Sequence, residues 1–221
     1  MSFKSYYDRL RHKIVERTNP YLGGLRRRLG GVNFQFTVIS NNCWAGSVYR
    51  WFNLPYLTPT AGLYFFAEDY IEFLKDLKAN CSREVVKIKL EQSRHKEQLI
   101  AKGQQHVPIG KIGDIEIIFL HYPTFEEAKE KWERRCSRIN WDRLIVKNAE
   151  MNGCSPEIVK EFDKLPFNTK FIFTTRDYGA QSQVIFKEYL NKEQVKDDTT
   201  LFNKYVNLTK LVKGLPFKRK Q

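Results

Sequence analysis

The stretch Phe36–Trp51, FTVISNNCWAGSVYRW, leaves a β-branched run through two asparagines and a cysteine and enters an aromatic segment. A thiol at such a strand exit is a candidate nucleophile. If a helix starts at or just after Cys43, its free N–H groups and dipole favour the thiolate and depress its pKa. The same amides, helped by the Asn41 or Asn42 side chain, can hold an oxyanion. His121, followed by Tyr122 at the end of another apolar run, is the candidate general base, with Asp177 or Glu150 to orient it. Together these residues would make a Cys/His site for acyl transfer. Each also has a plainer role: a lone cysteine is commonly a small buried hydrophobe, and asparagines form turns because they tolerate left-handed backbone.

Arg134 and Arg138, four residues apart, share one helical face that suits a phosphate, whereas Arg135 falls nearer the apolar stripe. Arginines so placed also pair with local glutamates. Trp44, Tyr49, Trp51, Tyr56 and Tyr64 could stack on sugar rings or fill a core.

Several elements must deliver these residues. FQFTVIS, EVVKIKL (Glu84–Leu90), DIEIIFLHY (Asp114–Tyr122), DRLIVKN (Asp142–Asn148), TKFIFTT (Thr169–Thr175) and SQVIFKEY (Ser182–Tyr189) read as strands, the last an edge candidate. Residues 67–80 carry a helical stripe of Tyr70, Phe73, Leu74 and Leu77. Thr124 with Glu127 is a capping box opening a helix, and Ser155–Pro156 caps another. Residues 54–62 form a proline-bearing loop, and 91–113 are polar and ambiguous. Strands alternating with helices imply a single α/β domain, layered around a mainly parallel or mixed sheet. Ligands of such sheets bind beyond the carboxyl ends of the strands. If the strands are parallel, Asn41–Cys43, His121–Tyr122, Asn148–Glu150 and Thr174–Asp177 share one rim.

The 221 residues, 42% hydrophobic and 14% aromatic, suffice for a core. No apolar run approaches the roughly 20 residues of a membrane span. The first residues lack the apolar centre of a secretory signal, so a cytoplasmic location is expected. Four scattered cysteines with no CxxC pair read as free thiols, and no metal site or cofactor is expected. GGLRRRLGG lacks the strand context of a dinucleotide fingerprint. The formal charge is +13, and residues 1–33 hold eight Lys/Arg against two Asp/Glu. We therefore separate a basic, helical N-terminal extension (1–33) from the α/β domain (34–221). The extension spaces Phe3, Tyr6, Tyr7, Leu10, Ile14 and Val15 as an amphipathic stripe, which either docks on the core or lies on an anionic membrane surface. The basic ends, including Lys218–Lys220, attract phosphates; nucleic acid is the less favoured source.

VISNNCWAGSVYRWFNLPYLTPTAGLYFFAEDYIEFL, followed by FLHYPTFEEAKEKWERRCSRIN, resembles a bacterial family of uncharacterised domains often labelled exopolysaccharide biosynthesis proteins. The resemblance spans about Phe36 to Tyr178. It implies an α/β domain with a place in surface-polysaccharide assembly, and carries no catalytic residues over. The expected function is an acyl- or other group-transferase acting on a sugar or nucleotide-linked intermediate. Its rivals are a glycosyltransferase-like enzyme without a covalent intermediate and a non-catalytic anion- or glycan-binding module.

Overall fold

The computed structural model describes residues 3–33, 35–200 and 202–214, without the side chains of 3–9, 11 and 12. The expected contacts of Phe3, Tyr6, Tyr7 and Lys218–Lys220 lie outside the described residues. In chain order the helices are α1 (Phe3–Gly30), α2 (Trp44–Trp51), α3 (Ala67–Lys75), α4 (Leu77–Ser82), α5 (Lys96–Ala101), α6 (Phe125–Cys136), α7 (Pro156–Lys164), α8 (Phe202–Tyr205) and α9 (Leu208–Val212). The strands are β1 (Thr37–Ser40), β2 (Val86–Ile88), β3 (Ile109–Ile112), β4 (Ile115–Ile118), β5 (Leu144–Ala149), β6 (Lys170–Thr174) and β7 (Gln183–Ile185).

A parallel sheet runs in the order β1-β5-β6-β7. Every side chain of β1 is buried, as its continuous run of Thr, Val, Ile and Ser requires of a strand covered on both faces. Over one face lie α3, α6 and α7, whose Tyr70, Phe73, Trp132 and Phe162 are sealed from solvent. Over the other lie α2, α8 and α9, where Trp44 sits edge-on to Phe171 and Phe202, each 5.5 Å away. This is the α/β layered fold that the alternating elements imply.

Several elements depart from the sequence reading. Asp114–Tyr122 does not supply a strand to the parallel sheet. Gly113, at φ +57°, closes a two-residue turn that pairs Ile112 with Ile115, and such a hairpin commits β4 to run antiparallel to β3. A second, antiparallel sheet of order β2-β3-β4 results. His121 therefore reaches the rim by another route. The segment after Gly62 pairs with β4 through Tyr64 N–H and Ile118 O (2.9 Å), while Phe65 N–H donates to Asn41 O (2.9 Å) just past β1. A single stretch of backbone thus joins the two sheets. Residues 67–80 are also two helices, broken at Asp76 (φ −135°, ψ 56°).

Helix α1 packs on α2, with Val15 of the expected stripe half-buried beside Ser47, Arg50 and Trp51. Gly23 allows the approach, since a Cβ there would stand 2.6 Å from Asn53 N. Asn53 Nδ2 donates to Pro20 O (3.1 Å), and the Arg26 guanidinium lies 4.0 Å over the Trp51 ring. Leu10 and Ile14 of the expected stripe point to solvent.

Candidate functional site

The turn after β1 is built by side chains that take over backbone groups. Ser40 Oγ accepts from Ala45 N–H (3.1 Å) and donates to Asn42 O (2.5 Å). Asn42 Oδ1 accepts from Trp44 N–H (3.1 Å). Cys43 is left as the N-cap of α2, at φ −66° and ψ 1°. The first two amides of α2, the oxyanion donors the sequence offered, are therefore already engaged.

Asn41 and Asn42 both brace this turn, and Asn42 also lines the second lobe of the cleft described below. Asn41 Nδ2 donates to Ala149 O (3.2 Å), and both asparagine Oδ1 atoms accept from Lys147 Nζ, at 3.2 and 3.1 Å. Lys147 is wholly buried and ion-paired to buried Asp198, which also accepts from Asn42 Nδ2 (2.9 Å). Burial lowers the Lys147 pKa, and Asp198 works against that drop.

Beyond this turn a cleft opens in two lobes of about 470 and 450 Å³. Cys43, His121 and Thr199 line both, so they mark the junction. The first lobe carries Arg50, Lys131 and Arg135 around Tyr56 and Tyr122, with Glu16 in its lining paired to Arg50 (3.3 Å) and Lys131 paired to Glu127. The second carries Tyr64, Lys102, Gln104, Asn152, Gln194 and Asp197. The TPTAG loop supports the first lobe. Thr60 Oγ1 accepts from Ser40 N–H (3.1 Å), and Gly62 (φ +83°) lies against Tyr122, where a Cβ would come within 3.1 Å of the ring. His121 is exposed and held by its backbone N–H to Gly62 O (2.9 Å).

The Cys43 thiol does not have the environment expected of a thiolate. Burial pushes its pKa up from 9.0 to about 11, and the Asp198 charge adds to the rise, while Arg50 offsets a part. Its Sγ lies 3.7 Å from Leu63 O as a weak donor.

Other expected residues lie elsewhere. Asp177 does not line either lobe; its Oδ1 accepts from Gly179 N–H (2.8 Å) and from Gln183 Nε2, so it shapes the turn before β7 and does not orient His121. Glu150 is occupied in tying β5 to β6, accepting from Thr175 N–H (2.6 Å) and the Tyr178 hydroxyl (2.5 Å). Arg134 pairs with Glu130 on the α6 surface (3.1 Å), and Arg138 is exposed beyond the helix end, so neither reaches the cleft. Arg135 takes that place. It is buried, donates to Ala61 O (3.1 Å) and to the Tyr122 hydroxyl, and stands 5.1 Å over the Tyr56 ring. Its signal was legible as a charged residue on the inward stripe of α6. Among the described residues, no group of three His, Cys, Asp or Glu side chains is arranged to hold a metal ion.

Comparison with known proteins adds the kinship. A family model described as "Domain of unknown function (DUF1919)" matches residues 21–215. A Haemophilus influenzae protein named "Uncharacterized protein" is 30% identical over 195 residues, covering 88% of this chain and 84% of the relative.

Proposed function

We propose, for a chain that belongs to the DUF1919 family, a group-transfer reaction on an anionic sugar- or nucleotide-linked substrate, in the assembly of a surface polysaccharide. The observation that carries this reading is the junction of the two lobes at Cys43 and His121. Arg50, Lys131 and Arg135 suit the phosphates of a donor, and Tyr56 and Tyr122 offer faces for a ring. Amides and a carboxylate in the second lobe suit the hydroxyls of an acceptor. His121 would take the proton of an acceptor hydroxyl as its oxygen attacks the donor. The cations would stabilise the departing phosphate. The raised thiol pKa and the occupied α2 amides favour this direct transfer.

A second reading rests on Cys43 and His121 lining the same two lobes. His121 would remove the Cys43 proton as sulfur attacks an acyl carbonyl, and return it to the leaving group. An acceptor hydroxyl would then attack the thioester, its proton passing through His121 to the departing Cys43 sulfur.

Titration calorimetry of the full chain against uridine diphosphate and a panel of nucleotide sugars and sugar phosphates tests substrate class, and release of the diphosphate follows turnover. His121→Asn should keep binding and lose turnover. Cys43→Ala should keep turnover under direct transfer and abolish it under the covalent route. Absence of binding by every member of the panel would remove the proposal.

A further inference from the structure

Six of the exposed large apolar side chains sit on one helix. Leu10, Ile14, Tyr21, Leu22, Leu25 and Leu29 of α1 are 45, 54, 84, 42, 51 and 79% exposed. At about 100° per residue they occupy an arc of about 120° over some 30 Å of helix, turned away from α2. The opposite face does the packing, through Asn19, Gly23 and Arg26. Isolated apolar side chains at a surface need no explanation, but a continuous stripe marks a contact.

Charge selects what covers it. Lys13, Arg17 and Arg28 are exposed and run along one edge of the arc. Between residues 10 and 30 the sole carboxylate is Glu16, which turns to the other side and pairs with Arg50 (3.3 Å). Self-association through this face would bring two basic rows together without a carboxylate between them. An anionic bilayer surface satisfies both features, the apolar arc entering the acyl boundary and the cations meeting headgroup phosphates. No helix among the described residues is long and apolar enough to cross a membrane.

We infer that α1 is an in-plane anchor that docks the protein on an anionic lipid surface through Leu10, Ile14, Tyr21, Leu25 and Leu29, with Lys13, Arg17 and Arg28 on the headgroups. The inference is independent of the reaction in the cleft. Glu16, on the packed side of the same helix, lines the first lobe of that cleft. Docking therefore brings the lobe to within about one helix diameter, roughly 10 Å, of the headgroups.

Co-sedimentation of the full chain with vesicles is the test, using phosphatidylcholine alone and phosphatidylcholine mixed equally with phosphatidylglycerol. Binding is expected to the anionic vesicles and to weaken with salt. Leu25→Glu with Leu29→Glu should reduce it at least tenfold, and Lys13→Glu, Arg17→Glu and Arg28→Glu together by about a hundredfold. All these positions are exposed, so unchanged circular dichroism and thermal unfolding should verify the fold of each variant. Failure of the wild type to bind anionic vesicles, or full binding by the well-folded Leu25/Leu29 variant, would overturn the anchor. A wild-type dimer that the same variant makes monomeric would assign the face to a second copy instead.

Discussion

Lys147 and Asp198, 0 and 1% exposed, form an ion pair beneath the junction of the two lobes and tie β5 to the segment before α8. Removing one partner strands the other charge in the interior, which costs far more than the pair gains. We predict that Asp198→Ala destabilises the protein by about 3–5 kcal/mol, and that Lys147→Met added to Asp198→Leu recovers most of the loss. Urea unfolding measures both. An Asp198→Ala variant within about 1 kcal/mol of wild type would show that Lys147 carries no buried charge.

The Cys43 thiol sets a pH signature. Because burial raises its pKa from 9.0 to about 11, alkylation by iodoacetamide should still be climbing above pH 9, reach half its maximum near 11 and level off only above that. The folded state then holds this proton more tightly than the unfolded state. Its contribution to stability is present below pH 9 and lost as pH rises toward 11. Peptide mapping after timed alkylation separates Cys43 from the other three thiols. A plateau already at neutral pH would mean a stabilised thiolate and would favour the covalent route.

Adjacent glycines of α1 should respond in opposite directions. A Cβ at Gly23 would press on Asn53 backbone, whereas one at Gly24 meets nothing within 4 Å. Gly23→Ala should cost about 1–3 kcal/mol by overpacking. Gly24→Ala should stabilise by up to about 1 kcal/mol through helix propensity. Equal effects in thermal unfolding would contradict the close α1–α2 approach.

Arg135 has both a structural and a binding consequence. Arg135→Ala leaves Ala61 O with one donor fewer and removes a cation from the first lobe. A loss of about 1–3 kcal/mol in stability is expected, together with at least tenfold weaker binding of uridine diphosphate. Arg134→Ala and Arg138→Ala, both on the exposed surface of this region, should change stability by less than about 0.5 kcal/mol and leave binding intact. Calorimetry and thermal melts on the three variants make the comparison.

Local signals carried much of this architecture. Thr124 Oγ1 accepts from Glu127 N–H (3.2 Å) and Ser155 Oγ from Ile158 N–H (3.4 Å), so both caps form, although the Glu127 side chain pairs with Lys131 and the box at Thr124 is half made; the buried runs at 144–149 and 170–174 are strands. What failed was long-range. DIEIIFLHY looks like one buried strand because apolar character continues past Ile118, yet partner and direction depend on the Gly113 turn. Lys147 sits inside an apolar strand run, and nothing in its neighbours announces that a carboxylate 51 residues later will meet it. His95, in the ambiguous 91–113 stretch, likewise forms a buried pair (2.6 Å) with Asp69 of α3, 26 residues earlier. Arg138 looked like an anion ligand through its spacing from Arg134, but α6 ends at Cys136 and the shared face is lost.

The Leu63–Phe65 stretch bonds to β4 on one side and to Asn41 on the other, so it serves as a common rung between the parallel and the antiparallel sheet. Neither sheet can fray at this point without freeing the other. Amide protons of Phe65 and Ile118 should accordingly exchange with deuterium as one cooperative unit. Because Phe65 bonds to Asn41 and His121 N–H to Gly62 O, the same rung also couples the backbone that carries Cys43 to the backbone that carries His121.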